Sequence, residues 1–130
     1  MMPDVTDRPS LAQLIAGATQ VLAEAGVPSP AHDARALAAH ALGLERLPVL
    51  LDAEVSSEAT ARFAELIERR RRREPLQHLV GSTGFRYLTL AVEPGVFVPR
   101  PETESVAQIA IDEAKRLLAA RLSPTVVDLC

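Results

Sequence analysis

The chain has 130 residues, 48% hydrophobic and 24% charged, with a formal net charge of -3. That length closes one modest core, or a small helical domain plus part of a second unit, and the composition is that of an ordinary globular protein. The mildly acidic balance supplies no bulk attraction to nucleic acid or to an anionic membrane, and neither is expected as a partner. Cys130 is the single cysteine, so no internal disulfide forms. With no charged-then-apolar export signal in Met1 to Pro9, a cytoplasmic, reducing home is expected. No apolar run approaches the ~20 residues that span a bilayer. Thirteen of the fourteen basic residues are arginine, a bias read as genome composition.

The first predicted helix begins at Ser10. Gln13 stands three residues on, the spacing of a capping box in which each side chain satisfies an orphan backbone donor. Leu11, Leu14, Ile15, Ala18, Leu22 and Ala25 then share one face. Gly26 suits a left-handed C′ position and Pro28 forbids continuation. A second helix starts from Ser29 as N-cap and Pro30 at N1, with Leu37, Ala38, Ala41 and Leu42 as its buried stripe and Gly43 at its end. Alanine-rich faces favour close approach, so the two are expected to pair antiparallel. Leu44 to Asp52, with Pro48 inside it, reads as a short helix or turn. A further helix is predicted from Ser56 or Ser57 to about Arg73, with Ala59, Phe63, Leu66 and Ile67 facing inward, closed by Pro75. Five arginines, Arg69 to Arg73, end it. At about 100° per residue they pass right round the helix. The expected role is to complement the helix dipole; the alternative is a contact surface for an acidic patch on a partner.

From Leu76 the pattern changes. Phe85 marks a short strand, Arg86-Tyr87 a tight turn, and Leu88, Leu90 and Val92 alternate as a half-buried strand, which predicts a hairpin. Glu93-Pro94-Gly95 is turn chemistry. Val96-Phe97-Val98 reads as extended, and Pro99-Arg100-Pro101 is locked extended by its prolines. A long helix is predicted from about Glu102 to Leu122, burying Val106, Ile109, Ala110, Ala114 and Leu117. Val126, Val127 and Leu129 then form the apolar run of a strand buried on both faces. A lone strand cannot bury both faces, so the sequence is expected to be cut short within a sheet domain.

Glu74-Pro75-Leu76-Gln77-His78-Leu79-Val80-Gly81, then Phe85, Leu88 and Val92, then Val98-Pro99-Arg100-Pro101-Glu102-Thr103-Glu104, resemble the protein-(glutamine-N5) methyltransferases of the HemK/PrmC family. The resemblance is specific between about Glu74 and Glu104. It implies an α+β chain: residues 1–75 as a helical substrate-recognition domain, 76–100 as a β-hairpin connector, and 101–130 as the first helix and strand of a Rossmann-like, S-adenosylmethionine-dependent methyltransferase domain. Glu102-Thr103-Glu104 favours the members acting on peptide-chain release factors over those acting on a ribosomal protein. The implied reaction transfers a methyl group to the side-chain amide of the glutamine in a Gly-Gly-Gln motif.

By the same resemblance, Arg100, Thr103, Glu104 and Asp128 are expected beside S-adenosylmethionine, and Phe85 and Phe97 beside the substrate glutamine. Each has a structural alternative. Arg100 pairs with Glu102 or Glu104 to pin the loop, Thr103 and Glu104 satisfy the first turn of the long helix, and the phenylalanines pack the hairpin. Val126-Val127-Asp128-Leu129-Cys130 is similar to the opening of the family's first cofactor motif, with Cys130 where glycine is common. The family's Asn-Pro-Pro-Tyr motif is absent from the sequence. It holds both amide N–H groups in acceptors so that a poor nucleophile is positioned for attack. This chain is therefore expected to be inactive by itself and to bind the cofactor poorly. Two other readings stand beside it: a stand-alone helical protein-binding module, and an amino-methyltransferase acting on nucleic acid or a ribosomal protein. His32, His40 and His78 are too scattered for a metal site, and Cys130 has no partner ligand in view.

Overall fold

The computed structural model describes residues 8–129. Residues 1–7, most of the polar opening segment, and Cys130 lie outside them. Five helices and one two-stranded hairpin occur among the described residues, in the order α1 (Leu11–Glu24), α2 (Pro30–Ala41), α3 (Ser57–Arg71), α4 (Leu76–Val80), β1 (Ser82–Phe85), β2 (Leu88–Ala91) and α5 (Pro101–Ala119). The class is α+β, as the sequence predicts. The chain divides into two compact units, the first ending at Ser82 and the second beginning at Thr83.

The first unit holds the core. Leu11, Ile15, Ala18 and Leu22 of α1, Ala34, Leu37, Ala38 and Ala41 of α2, and Ala59, Phe63 and Ile67 of α3 are buried together, with Val27, Val55 and Leu79. Leu22 and Leu37 are the largest side chains wholly removed from water, worth about 1.5–3 kcal/mol each relative to exposure. The cap of α1 forms as the sequence predicts, whereas Ser29 stands at the N-cap of α2 without a side-chain cap bond. Ser10 Oγ accepts from the Gln13 N–H at 3.2 Å, and Gln13 Oε1 accepts from the Ser10 N–H at 2.9 Å. Gly26, Gly43 and Gly81 follow α1, α2 and α4 at φ of 73°, 67° and 78°, where a Cβ would be strained.

Two segments differ from expectation. Residues 44–52 form no helix. Their backbone instead serves α1: the Leu11 N–H donates to the Ala53 carbonyl and the Ala12 N–H to the Leu51 carbonyl, both at 3.0 Å. With the Gln13 N–H on Ser10 Oγ and the Ser10 N–H on Gln13 Oε1, all four orphan donors of the α1 N-terminus are accounted for. Leu47 and Leu51 also pack on the core. Leu76 to Val80, where the predicted connector begins, is the short helix α4. Pro75 stands at its N-cap and Gly81 at its left-handed C-cap, and Leu79 is buried in the bundle.

In the second unit the hairpin forms around the predicted Arg86-Tyr87 turn, but Leu88 is exposed and Val92 alone is buried among the described residues. The α5 helix runs as predicted, with Pro101 in its first turn. Its expected burial is corrected: Val106 and Ile109 are 65% and 71% exposed, Ala110 is exposed, and Ala114 and Leu117 are only half-buried. Helical periodicity identifies an apolar face without supplying the layer that covers it. Residues 96–98 and 125–129 join no strand. A buried parallel strand needs neighbours on both edges, and none pairs with 125–129 here.

Candidate functional site

The predicted site residues fall in the second unit. Arg100 is the N-cap of α5, in extended backbone at φ -84° and ψ 142°, so its own carbonyl already accepts from the Thr103 N–H at 3.0 Å. Arg100 and Thr103 are exposed. Phe85 ends β1 and is half-buried, whereas Phe97 is exposed in the irregular segment after the Glu93-to-Val96 turn. Asp128 is exposed in the segment after α5.

Glu104 is where geometry concentrates. Its Oε1 accepts the backbone N–H of Arg86 at 3.0 Å, tying the hairpin turn to the first turns of α5. The Arg86 guanidinium donates through NH2 to Gln108 Oε1 at 2.7 Å, and Gln108 in turn donates to Asp112 at 2.7 Å. Arg86 stands at φ 53°, the left-handed region that a two-residue hairpin turn demands and that glycine or asparagine usually fills. An arginine there costs about 1–2 kcal/mol of steric strain, which the Glu104 and Gln108 bonds offset. The guanidinium also lies 5.9 Å from the centre of the Tyr87 ring, within reach of a cation–π attraction. Tyr87 is 96% exposed at the tip. Arg86, Tyr87, Glu104, Ser105 and Gln108 line an open cleft of about 320 Å³.

Of the four residues expected at the cofactor, Glu104 alone lines this cleft, and one of its carboxylate oxygens is engaged by backbone. Arg86, Tyr87, Ser105 and Gln108 were not singled out by sequence. The signal for them was the two-residue loop itself, together with Glu104 and Gln108 one helical turn apart on α5.

A second feature, in the first unit, was also missed. Asp33 is 5% exposed. Its Oδ2 accepts from Arg70 Nε at 2.8 Å and its Oδ1 lies 3.2 Å from His32 Nδ1. Arg70 NH1 donates to the Glu74 carbonyl at 2.9 Å. The run Arg69 to Arg73 is thereby divided bond by bond. Arg69 pairs with Glu74, Arg70 with Asp33, and Arg71 and Arg72 with Glu68. Hydrogen bonds from Arg71 and then Arg72 hold the Glu68 carboxyl down at about 2, and Arg69 holds that of Glu74 below its ordinary value. Four of the five thus meet a carboxylate, and Arg73 meets the Gly26 carbonyl at the end of α1.

A helical bundle with a closed core, followed by a hairpin latched to a proline-started helix, defines an α+β chain whose packed core is helical. The chain matches the family described as PrmC N-terminal domain over residues 13–81. It belongs to that family. It is 52% identical over 118 residues to a release factor glutamine methyltransferase of Streptomyces coelicolor, covering 89% of this chain and 40% of the relative. Relatives of the same name in Mycolicibacterium smegmatis and Deinococcus radiodurans are 47% and 43% identical over 116 and 114 residues. These alignments cover 89% and 86% of this chain and 40% and 41% of the relatives. The chain thus spans about two-fifths of the length of the curated relatives it matches.

Proposed function

We propose that the whole protein to which this chain belongs methylates the side-chain amide nitrogen of the glutamine in the Gly-Gly-Gln motif of peptide-chain release factors, and that this chain supplies recognition of the factor. Residues 1–75 act as the recognition domain, 76–100 as the connector, and 101–130 as the start of the methyltransferase domain. The observation that carries the reading is the match to the N-terminal domain family over residues 13–81, followed by a Pro-Arg-Pro-Glu-Thr-Glu run, Pro99 to Glu104, that leads into the first turn of α5. S-adenosylmethionine, when bound to the whole protein, supplies an electrophilic methyl group on sulfur. Arg100, Thr103, Glu104 and Asp128 border it in this reading, and Phe85 and Phe97 wall the substrate glutamine. Glu104 acts as a positioning residue, holding the hairpin turn in its strained form beside the first turns of α5. Without an Asn-Pro-Pro-Tyr motif, the chain as given transfers no methyl group. The setting is the cytoplasm; among the described residues no helix is long and apolar enough to cross a membrane.

The test is a methyl-transfer assay on a purified release factor, using labelled S-adenosylmethionine. The whole protein is expected to label the Gly-Gly-Gln glutamine, and this chain to bind the factor without labelling it. Labelling of nucleic acid or of a ribosomal protein in place of the factor refutes the substrate assignment. One observation favours a second reading, a helical module that docks its partner unaided: apart from Val92, every buried residue among those described lies in the first unit. A chain ending at Ser82 that binds the factor as tightly as the 130-residue chain selects it.

A further inference from the structure

Pro28, Ser29, His32, Asp33, Arg70, Arg73, Pro75, Leu76 and Gln77 line an open, polar cleft of about 430 Å³ in the first unit. Two of its charges cancel, because Asp33 and Arg70 are bonded to each other. Arg73 is left over. It is the one member of the five-arginine run whose charge no carboxylate among the described residues meets: NH1 donates to the Gly26 carbonyl at 2.6 Å, a neutral acceptor. The rest of its planar fork, which carries five donors in all, remains for another acceptor.

The backbone of Arg73 sharpens the point. It occupies the left-handed position after α3, at φ 72°. Its N–H donates to the Arg70 carbonyl and that of Glu74 to the Arg69 carbonyl, the bonding of a helix end that glycine completes without strain. After α1, α2 and α4 the corresponding place is glycine. The hydrogen bond to Gly26 shows that the side chain holds two helix ends together, but that bond does not need a full charge. The cleft carries one net positive charge, from Arg73, on a chain whose net charge is -3. A guanidinium paired only to a carbonyl is complementary to an acidic group arriving from outside.

We infer that this cleft binds an acidic side chain of the protein partner, with the free edge of the Arg73 guanidinium gripping its carboxylate in a two-point contact. The Ser29 hydroxyl, which makes no cap bond to α2, and the Gln77 amide stand on the cleft wall as further donors. The inference rests on the release-factor reading for the identity of the partner, and on the structure for the chemistry of the contact.

Arg73→Gly separates binding from folding, because glycine is the residue this backbone favours. Calorimetry of the 130-residue chain with a purified peptide-chain release factor is paired with amide-resolved NMR titration by a capped glutamate-rich peptide. Arg73→Gly is expected to leave Tm unchanged or higher while weakening release-factor binding about tenfold. The peptide is expected to shift the amide signals of Ser29, Arg73 and Gln77 in the unsubstituted chain, and those of Ser29 and Gln77 not at all in Arg73→Gly. Arg73→Lys, which keeps the charge but loses the fork, is expected between the two. Equal release-factor affinity for Arg73→Gly and the unsubstituted chain overturns the inference. So does a response to inorganic phosphate in place of the peptide, which assigns the cleft to a phosphate group. If the peptide binds and the release factor does not, the partner assignment fails and the carboxylate chemistry stands; if neither binds, both fall.

Discussion

The ion pair between Asp33 and Arg70 is the place where one substitution should do most damage to the bundle. The two side chains are 7% and 14% exposed and meet at 2.8 Å. Removing one partner of such a pair leaves the other charge in a site built for both, at about 3–5 kcal/mol when burial is complete. Arg70 keeps a hydrogen bond to the Glu74 carbonyl, and its side chain is not wholly dry. Asp33→Ala is therefore expected at the lower end, about 3 kcal/mol. In a domain of this size each kcal/mol moves the melting midpoint by roughly 4–8 °C, so the midpoint should fall by about 12–24 °C.

Thermal unfolding followed by circular dichroism at 222 nm measures the loss. The companion variant removes both charges. Asp33→Leu with Arg70→Met fills the space with apolar atoms and is expected within about 1 kcal/mol of the unsubstituted chain, since replacing both charges removes the desolvation cost with the attraction. A fall of less than ~5 °C for Asp33→Ala refutes the claim that the carboxylate is needed inside the bundle. A double variant as unstable as the single one refutes the attribution to an orphaned charge.

Other outcomes follow from the same structure. Gly17 lies inside α1 without positive φ, and an added Cβ there meets no atom within 4 Å; Gly17→Ala should raise stability by about 0.5–1 kcal/mol in denaturant titration. Glu104→Ala removes the acceptor of the Arg86 N–H and should speed hydrogen exchange at that amide about fivefold, as expected for one half-exposed bond worth about 1 kcal/mol. Unchanged exchange there refutes the latch. Hydrogen bonds from Arg71 and Arg72 to its ionised form hold the Glu68 carboxyl down at about 2, from an ordinary value of 4.5. A depressed carboxylate contributes stability above its unfolded value, and that contribution is lost as pH falls from about 4.5 towards 2. NMR titration of its side-chain carboxyl should show a midpoint near 2, moving up when Arg71 and Arg72 are both alanine. Val106→Ser with Ile109→Ser should change the stability of this chain by less than about 0.5 kcal/mol, since both side chains are exposed; a larger loss shows that the chain covers them.

How much was legible depended on where each element's partners sit in sequence. The start of α1 was readable because Ser10 and Gln13 satisfy each other three residues apart, and its end because Gly26 and Pro28 are local signals. Residues 44–52 were not, because their shape is set by the N–H groups of Leu11 and Ala12 forty residues away. The short helix α4 has too few residues for periodicity, yet the Pro75 and Gly81 that bound it were in plain view. Asp33 lies four residues before Leu37 and eight before Ala41, on the same stripe, and Arg70 three after Ile67. That spacing places a charge of each sign inside the bundle, a signal that apolar periodicity does not carry. For α5 the periodicity was right and the burial wrong. A helix carries its own apolar face in its sequence, whereas the cover belongs to whatever packs on it.

The left-handed positions show how a local departure from rule acquires a tertiary cause. Among the described residues the non-glycine ones are Arg73, Arg86 and Arg121. At two of them the side chain makes a bond that no local rule supplies: Arg73 reaches Gly26 and Arg86 reaches Gln108. At these two the strain of about 1–2 kcal/mol is balanced by side-chain bonds of similar size. Each of those two arginines also lines a cleft, Arg86 at the hairpin tip and Arg73 at the end of α3. Glycine at either place relaxes the backbone and removes the reach. The two substitutions therefore ask one physical question at two sites, namely whether the arginine is there for its chain conformation or for what its guanidinium holds. Nothing in the structure explains Arg121, which makes it the comparison: Arg121→Gly relieves the same strain without disturbing either cleft.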